Sequence, residues 1–409
     1  MEKIVIIGGG HAAAQLVTSL RQKKFEGSVT LVSDEPHVPY QRPPLSKAYL
    51  SGELAAERLP ILREAAYENA GVELKLGVRA EGVDASAKAV TLKGGETLTY
   101  DKLILATGGR ARQLGCPGAN LRGVHSVRTR DDTDSLRAEF ETAKRLVIVG
   151  GGYIGLEIAS AARKVGKAVT VLEAEDRILA RVVAPEVSEF YTSLHTEEGV
   201  AIHTNQMVTS LEGDTRVEAV CTKDGSRFPA DLVIVGIGLI ANSELAEKAG
   251  LETTPMGIAV NAFCQTSDPN IYAVGDATSH HNAFYGRDMR LESVQNAVDQ
   301  AKVAIGHIMG EEAPYEALPW FWSEQYGLKL QIAGLSEGYD ALTVRGDPAE
   351  RSVAYFYMKD GRIIAADCVG RIAEFMNAKK LIAARTPVTA AQLTDERPFK
   401  EIAAELLAD

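Results

Sequence analysis

The sequence predicts an α/β chain in which two domains built on parallel βαβ units are followed by a C-terminal α+β domain. Three observations carry that prediction. A glycine triplet occurs twice, Gly8-Gly9-Gly10 and Gly150-Gly151-Gly152, each directly after a run of apolar β-formers, Ile4-Val5-Ile6-Ile7 and Leu146-Val147-Ile148-Val149. Each triplet opens a helical pattern and is followed by an acid at the end of the next apolar strand, 26 and 23 residues after its first glycine. That spacing is near the roughly 20 residues of a dinucleotide-binding βαβ unit. Two later segments also echo each other: Asp101-Lys102-Leu103-Ile104-Leu105-Ala106-Thr107-Gly108 and Asp231-Leu232-Val233-Ile234-Val235-Gly236-Ile237-Gly238 both run from Asp through a buried-strand pattern into a glycine turn.

Taken in order, the first unit reads as a strand at 3–7, a helix from about Ala12 to Lys23, and a strand at 29–32 ending in Asp34-Glu35. The second reads as a strand at 146–149, a helix from about Ile154 to Val165, and a strand at 168–172 ending at Glu173. A third short apolar strand, Ile271-Tyr272-Ala273-Val274, runs into Gly275-Asp276, and one long helix is expected from Glu292 to about Met309 (Val294, Ala297, Val298, Ala301, Ala304, Ile305). From Pro319 the pattern changes to alternating strands at 328–333, 353–358 and 363–368, closed by a helical segment over about 373–408. The domains expected are therefore 1–109 and 242–318 for a first, divided dinucleotide domain, 110–241 for a second inserted in it, and 319–409 for the α+β domain.

Composition sets the class. The chain has 409 residues, 45% of them hydrophobic and 24% charged, enough for two or three domains with a large core. A formal net charge of −11 argues against general affinity for nucleic acid or an anionic membrane surface. No apolar run approaches the roughly 18 residues of a membrane span. The first strand is entered by Lys3, which leaves no room for a signal peptide. Four cysteines, Cys116, Cys221, Cys264 and Cys368, lie far apart with neither C-x-x-C nor metal-ligand spacing. A reducing cytoplasm is expected, with no metal site, no dithiol redox centre and no protein-bound iron–sulfur cluster.

Glycine is needed in the two loops so that the backbone can approach a pyrophosphate at the positive end of the following helix. The expected contacts are Gly8 and Gly10 in the first copy, where Ala13 replaces the third glycine, and Gly150, Gly152 and Gly155 in the second. Asp34 or the adjacent Glu35 is expected on a ribose hydroxyl of one nucleotide and Glu173 on that of the other. An acid there repels a 2′-phosphate, so the second loop should favour NADH over NADPH, with Arg177 and Arg181 close enough in sequence to soften the preference. The first half alone carries further elements that a permanently held flavin would use: Pro39–Lys47, the Ala106-Thr107-Gly108 turn, Asp276 for the ribityl hydroxyls, and the Glu292 helix aimed at the pyrimidine ring.

These residues together resemble the two-dinucleotide-binding flavoprotein superfamily that includes glutathione reductase. Within it they resemble the ferredoxin reductases of oxygenase systems, the family of putidaredoxin reductase and biphenyl-dioxygenase ferredoxin reductase. The matching segments are P-Y-Q-R-P-P-L-S-K-A-Y-L (39–50), A-T-G-G-R (106–110), G-G-G-Y-I-G-L-E (150–157), A-V-G-D (273–276), E-S-V-Q-N-A (292–297) and P-W-F-W-S-E-Q-Y (319–326), which span the chain. The resemblance implies FAD on Gly10, Ala12, Asp34, Arg42, Lys47, Ala80, Arg128, Asp276 and Val294, and NADH on Gly152, Ile154, Glu157, Glu173 and Gly238. It places Lys47 near flavin N5, where the hydride arrives, and pairs it with Glu157 when nicotinamide is absent. It sets Trp322 against the flavin edge.

The activity implied is electron transfer from NADH through FAD to a two-iron ferredoxin, which in turn feeds a haem-thiolate monooxygenase or a Rieske dioxygenase of aromatic hydrocarbon catabolism. A transient, electrostatic encounter is expected, and the acidic overall charge then requires a local basic patch, for which Arg63, Arg287, Arg290, Lys302 and Lys329 are candidates. A monomer is expected, since no apolar helix face is left over. A disulfide reductase would need a redox cysteine pair near the first helix, and none is there. An NADH-binding flavoprotein acting as a redox sensor, like apoptosis-inducing factor, is the alternative.

Overall fold

The computed structural model describes residues 1–408 of the chain. They fall into two compact units: Met1–Arg42, Ala55–Arg110 and Leu239–Ala317 form the first, and Pro43–Leu54, Ala111–Gly238 and the chain from Leu318 onward form the second.

The first unit is organised by a five-stranded sheet, all parallel, in the lateral order Ile271–Ala273, Lys102–Leu105, Lys3–Ile7, Ser28–Ser33, Val72–Leu76. Strands covered on both faces must be apolar on both, which is why Ile4-Val5-Ile6-Ile7 reads as an unbroken apolar run. Helix His11–Gln22 packs its Ala13, Leu16, Val17 and Leu20 on the sheet and against helix Val294–Ile308. A three-stranded antiparallel meander, Ala80–Asp84, Ala89–Leu92 and Thr97–Thr99, lies between the third and fourth strands in sequence.

The second unit repeats this plan. Its parallel sheet runs Val200–His203, Ala168–Leu172, Arg145–Val149, Leu232–Val235, Val124–His125, with helix Tyr153–Lys164 after the glycine loop and a meander of Val208–Glu212, Ala219–Thr222 and Arg227–Pro229. The repeat extends to single bonds. Asp101 Oδ2 accepts from Lys3 N at 2.8 Å, and Asp231 Oδ2 accepts from Arg145 N at 2.9 Å. The same unit holds a five-stranded antiparallel sheet, Trp320–Gln325, Leu328–Gly334, Arg362–Val369, Ser352–Lys359, Ala341–Asp347.

Three expectations are corrected. The long helix starts at Val294 rather than Glu292, because Ser293 takes the cap and its hydroxyl accepts from Asn296 N; Glu292 precedes the helix and pairs with Arg290 at 2.7 Å. The closing segment is three helices, Ile372–Ala384, Ala390–Thr394 and Phe399–Ala408, broken where Arg385 turns left-handed (φ 52°) ahead of Pro387 and restarted by a Thr389 capping box. Both meanders, and the strands at 320–325 and 341–347, were not foreseen as strands; several are too short for periodicity to reveal them.

Candidate functional site

In both copies the first glycine is required by contact. Gly8 has φ +131° and Gly150 +108°, and a Cβ on either would strike a carbonyl of the neighbouring strand's turn, Ala106 O in one case and Gly236 O in the other. The third glycine matters only in the second loop, where a Cβ on Gly155 would strike Gly150 O; Ala13 fills the equivalent position in the first copy and is fully buried. The middle position is open instead. A Cβ on Gly10 would meet nothing closer than Arg42 Nε at 3.9 Å, and one on Gly152 nothing within 4 Å. Gly10 and Gly152 are the N-caps of helices His11–Gln22 and Tyr153–Lys164, and neither helix has a side-chain cap. Helix starts without side-chain caps and with open space at the N-cap glycine are what a pyrophosphate needs, so both loops fit a dinucleotide.

Around the first loop, Asp34 is exposed at the strand end, whereas Glu35 is engaged: Arg42 Nη2 donates to its Oε1 at 2.6 Å and the Tyr40 hydroxyl to its Oε2. Arg42 lies over the Tyr40 ring at 5.1 Å. Burial pulls its guanidinium pKa down, but Tyr40, Glu35 and Asp276 outweigh that, so the net shift is upward and the cation is secure. Asp276 sits in the short turn Gly275–Ala277. Thr107 Oγ1 donates to Asn242 O at 2.8 Å and Asn242 Nδ2 returns a bond to Thr107 O at 3.0 Å, which holds the Thr107-Gly108 turn. Ala80 is buried at the start of the meander.

Around the second loop, Glu173 Oε2 accepts from Gly151 N at 2.7 Å and Oε1 from Glu175 N at 2.9 Å, so the acid is oriented by the loop itself. Arg177 donates to Ala180 O and Val183 O within its own turn, at 2.8 and 3.0 Å, while Arg181 is exposed. Gly238 has φ +104° with open space at its Cβ position. Ile154 is half-exposed on the first turn of the helix. Arg128 precedes helix Arg130–Phe140, its N–H donating to Asp132 Oδ2 at 3.1 Å.

Glu157, one turn beyond Ile154 in helix Tyr153–Lys164, is buried with 4% of its surface exposed. Three donors converge on its carboxylate: Lys47 Nζ at 2.6 Å and Ser46 Oγ at 2.6 Å on Oε2, and Ser323 Oγ at 2.7 Å on Oε1. The Lys47–Glu157 pair implied by the resemblance is therefore formed. Beyond Ser323 the bonds run in one direction. Gln325 Nε2 donates to Ser323 Oγ at 3.1 Å, which leaves Gln325 Oε1 to accept from His195 Nε2 at 2.6 Å. His195 Nδ1 then accepts from the Tyr326 hydroxyl at 3.0 Å. Burial pushes His195 down to about 4, so it is neutral at pH 7 and carries its proton on Nε2. Every dipole in the line presents its positive end toward Glu157, an arrangement in which hydrogen bonds reinforce one another.

Sequence reasoning missed Ser46, Ser323, Gln325 and His195. The available signal was period two: Ser323 and Gln325 share the inward face of strand Trp320–Gln325, where a polar residue needs a partner. Trp322 is half-buried on the opposite alternation from Ser323, its ring 5.7 Å from that of Trp320. Of the basic candidates, Arg290 is paired with Glu292 and Lys302 with Asp299, while Arg63 and Lys329 are exposed.

Residues 2–301 match the pyridine nucleotide-disulphide oxidoreductase family, and residues 320–402 match the reductase C-terminal family. The chain is similar to the ferredoxin reductase subunit of the 5,5′-dehydrodivanillate O-demethylase of Sphingobium sp., 45% identical over 404 residues that cover 98% of each chain. It is 43% identical to putidaredoxin reductase of Pseudomonas putida over 415 residues, 100% of this chain and 98% of that one. The crystal structure of the covalent putidaredoxin reductase–putidaredoxin complex matches with a TM-score of 0.96 at 43% identity, covering 100% of this chain and 99% of that one.

Proposed function

The chain belongs to the pyridine nucleotide-disulphide oxidoreductase family, and from that premise we propose that it is an FAD-dependent NADH:ferredoxin oxidoreductase that supplies an oxygenase. The observation that carries the reading is the pair of glycine loops, each with an open middle glycine and a helix start free of side-chain caps, in a chain whose cysteines are isolated in sequence. Two nucleotide sites without a redox cysteine pair call for electrons to leave through a partner protein. Bound FAD supplies the conversion between two-electron and one-electron transfer that such a route requires.

We assign FAD to the first loop, with Asp34, Arg42, Thr107, Asp276 and Val294 holding it, and NADH to the second, with Gly152, Glu173 and Gly238. Glu173 disfavours a 2′-phosphate, and Arg177 is committed to carbonyls of its own turn, which supports NADH over NADPH. Lys47 is the cation we assign to the edge that receives the hydride. Glu157 and the Pro43 carbonyl orient its ammonium, accepting from Nζ at 2.6 and 3.1 Å, so positioning rather than acid–base chemistry is the protein's contribution. The partner is a two-iron ferredoxin met transiently and electrostatically by a single copy of this chain in the cytoplasm.

Cytochrome c reduction by NADH tests the reading. Activity that requires added two-iron ferredoxin is the expected result. Bound FAD and NADH with no transfer to any ferredoxin would favour the sensor alternative and overturn it.

A further inference from the structure

We propose that Ser323, Gln325 and His195 are positioning residues for flavin reduction: they hold Glu157 as an anion on Lys47, and the charge of Glu157 in turn dictates which ring nitrogen of His195 carries the proton. The positioning role rests on the assignment of Lys47 to the edge that receives the hydride. The direction of every bond follows from counting protons, beginning at the ammonium. Lys47 Nζ has only protons to give, and it donates to Glu157 Oε2 at 2.6 Å and to Pro43 O at 3.1 Å. The Ser46 hydroxyl adds a second donor on Oε2 at 2.6 Å.

A carboxylate has only lone pairs to offer, so the Ser323 hydroxyl places its single proton on Glu157 Oε1, at 2.7 Å. Ser323 Oγ is then an acceptor toward its other neighbour and requires Nε2 of Gln325, which stands at 3.1 Å. Gln325 Oε1 is left for His195, whose Nε2 donates to it at 2.6 Å, and the Tyr326 hydroxyl completes the line on Nδ1 at 3.0 Å. The opposite polarity is complete only with a proton on Glu157 Oε1. Ser323 then donates to Gln325 Oε1, Gln325 Nε2 donates to His195 Nε2, and His195 carries its proton on Nδ1. Ser323, Gln325 and His195 are all fully buried, so a mismatch anywhere along the line strands a donor or an acceptor. Protonating Glu157 therefore entails turning two side chains over and moving a ring proton inside a packed unit. Glu157 is held as the anion, and an anion grips the ammonium in both distance and direction more firmly than a neutral acid does.

Two measurements on the FAD-loaded protein test this. In long-range proton–nitrogen NMR spectra of histidine-labelled protein, His195, identified by the signals lost in His195→Gln, should be the Nε2–H tautomer. Glu157→Gln keeps the shape of the side chain but turns its oxygen to Lys47 and its amide to Ser323, so the line reverses and His195 should change to the Nδ1–H tautomer. In stopped flow at saturating NADH, Ser323→Ala and Gln325→Leu should each slow flavin reduction about fivefold while the Kd for NADH stays within about twofold of wild type. In a Glu157→Gln background Ser323→Ala should slow it no further, because Ser323 acts through the carboxylate. An unchanged His195 tautomer in Glu157→Gln would overturn the inference. So would the same fivefold slowing by Ser323→Ala with and without Glu157, which marks a merely structural role. A slow Lys47→Ala protein beside a Ser323→Ala protein of wild-type rate would overturn the inference alone, whereas an unchanged rate in Lys47→Ala would overturn the Lys47 assignment and the positioning role together.

Discussion

Asp367 stands inside the C-terminal antiparallel sheet, opposite Ile332 on one neighbouring strand and Tyr355 on the other, with 2% of its surface exposed. Burial pushes its carboxyl up to about 7 from an ordinary value of 3.8, and the hydrogen bond from Tyr357 pulls only part of the way back. The folded value is the higher one, so the folded protein binds more protons than the unfolded chain between those two pH values. Asp367 is thus least costly below about pH 4, and stability falls as pH rises through 7. About three pH units at roughly 1.4 kcal/mol each give a penalty near 4 kcal/mol above pH 7, and about 2 kcal/mol at pH 5. Asp367→Asn keeps an acceptor for Tyr357, whose oxygen also receives Ala184 N at 3.1 Å, but cannot ionise. The variant should be more stable than wild type by about 4 kcal/mol at pH 8 and about 2 kcal/mol at pH 5. For a unit of this size the difference between the two pH values amounts to roughly 4–8 °C of melting temperature. Far-UV circular dichroism melts of both proteins at pH 5 and pH 8 measure it. Parallel melting curves across that range, or a less stable variant at pH 8, would refute the reasoning.

Three substitutions address the nucleotide sites. Lys47→Ala removes the cation that Glu157 and the Pro43 carbonyl orient, and flavin reduction by NADH should slow roughly tenfold or more in stopped-flow absorbance; an unchanged rate with FAD bound would sink that role. Gly152→Val puts a branched side chain into the open approach of the second loop, so the purified protein should retain flavin absorbance while its affinity for NAD+ drops by about tenfold or more. Gly10→Val should do the reverse and yield protein deficient in flavin. Loss of flavin from Gly152→Val instead would mean that the loop assignments are exchanged.

Much of the first and second domains was legible before any tertiary contact was known. The acid after each second strand and the Ala106–Gly108 and Gly236–Gly238 turns could be located from spacing, since each is fixed by local geometry of the βαβ unit. The boundary of the helix near Glu292 was misplaced by two residues because the choice between Glu292 and Ser293 as the first capping group depends on which side chain reaches Asn296 N, and Arg290 had already taken Glu292. The meanders escaped notice for a related reason. Strands of three to five residues, half of them facing solvent, leave too little apolar alternation to distinguish them from loops.

By itself, then, the sequence determined the two parallel repeats, the unequal additions around them and the absence of a cysteine pair, because strand, glycine turn and helix are patterns contained within some thirty consecutive residues. Tertiary structure alone decided which polar groups meet. Lys47 reaches Glu157 across 110 positions, Ser323 reaches it across 166, and Gln325 finds His195 across 130. The amide of Gln206 is likewise directed by Asp224 on a neighbouring strand connection. A buried polar side chain announces only that it needs a partner; the identity of that partner is set by how the helix Tyr153–Lys164 packs on the strand Trp320–Gln325, and no local periodicity encodes such a meeting.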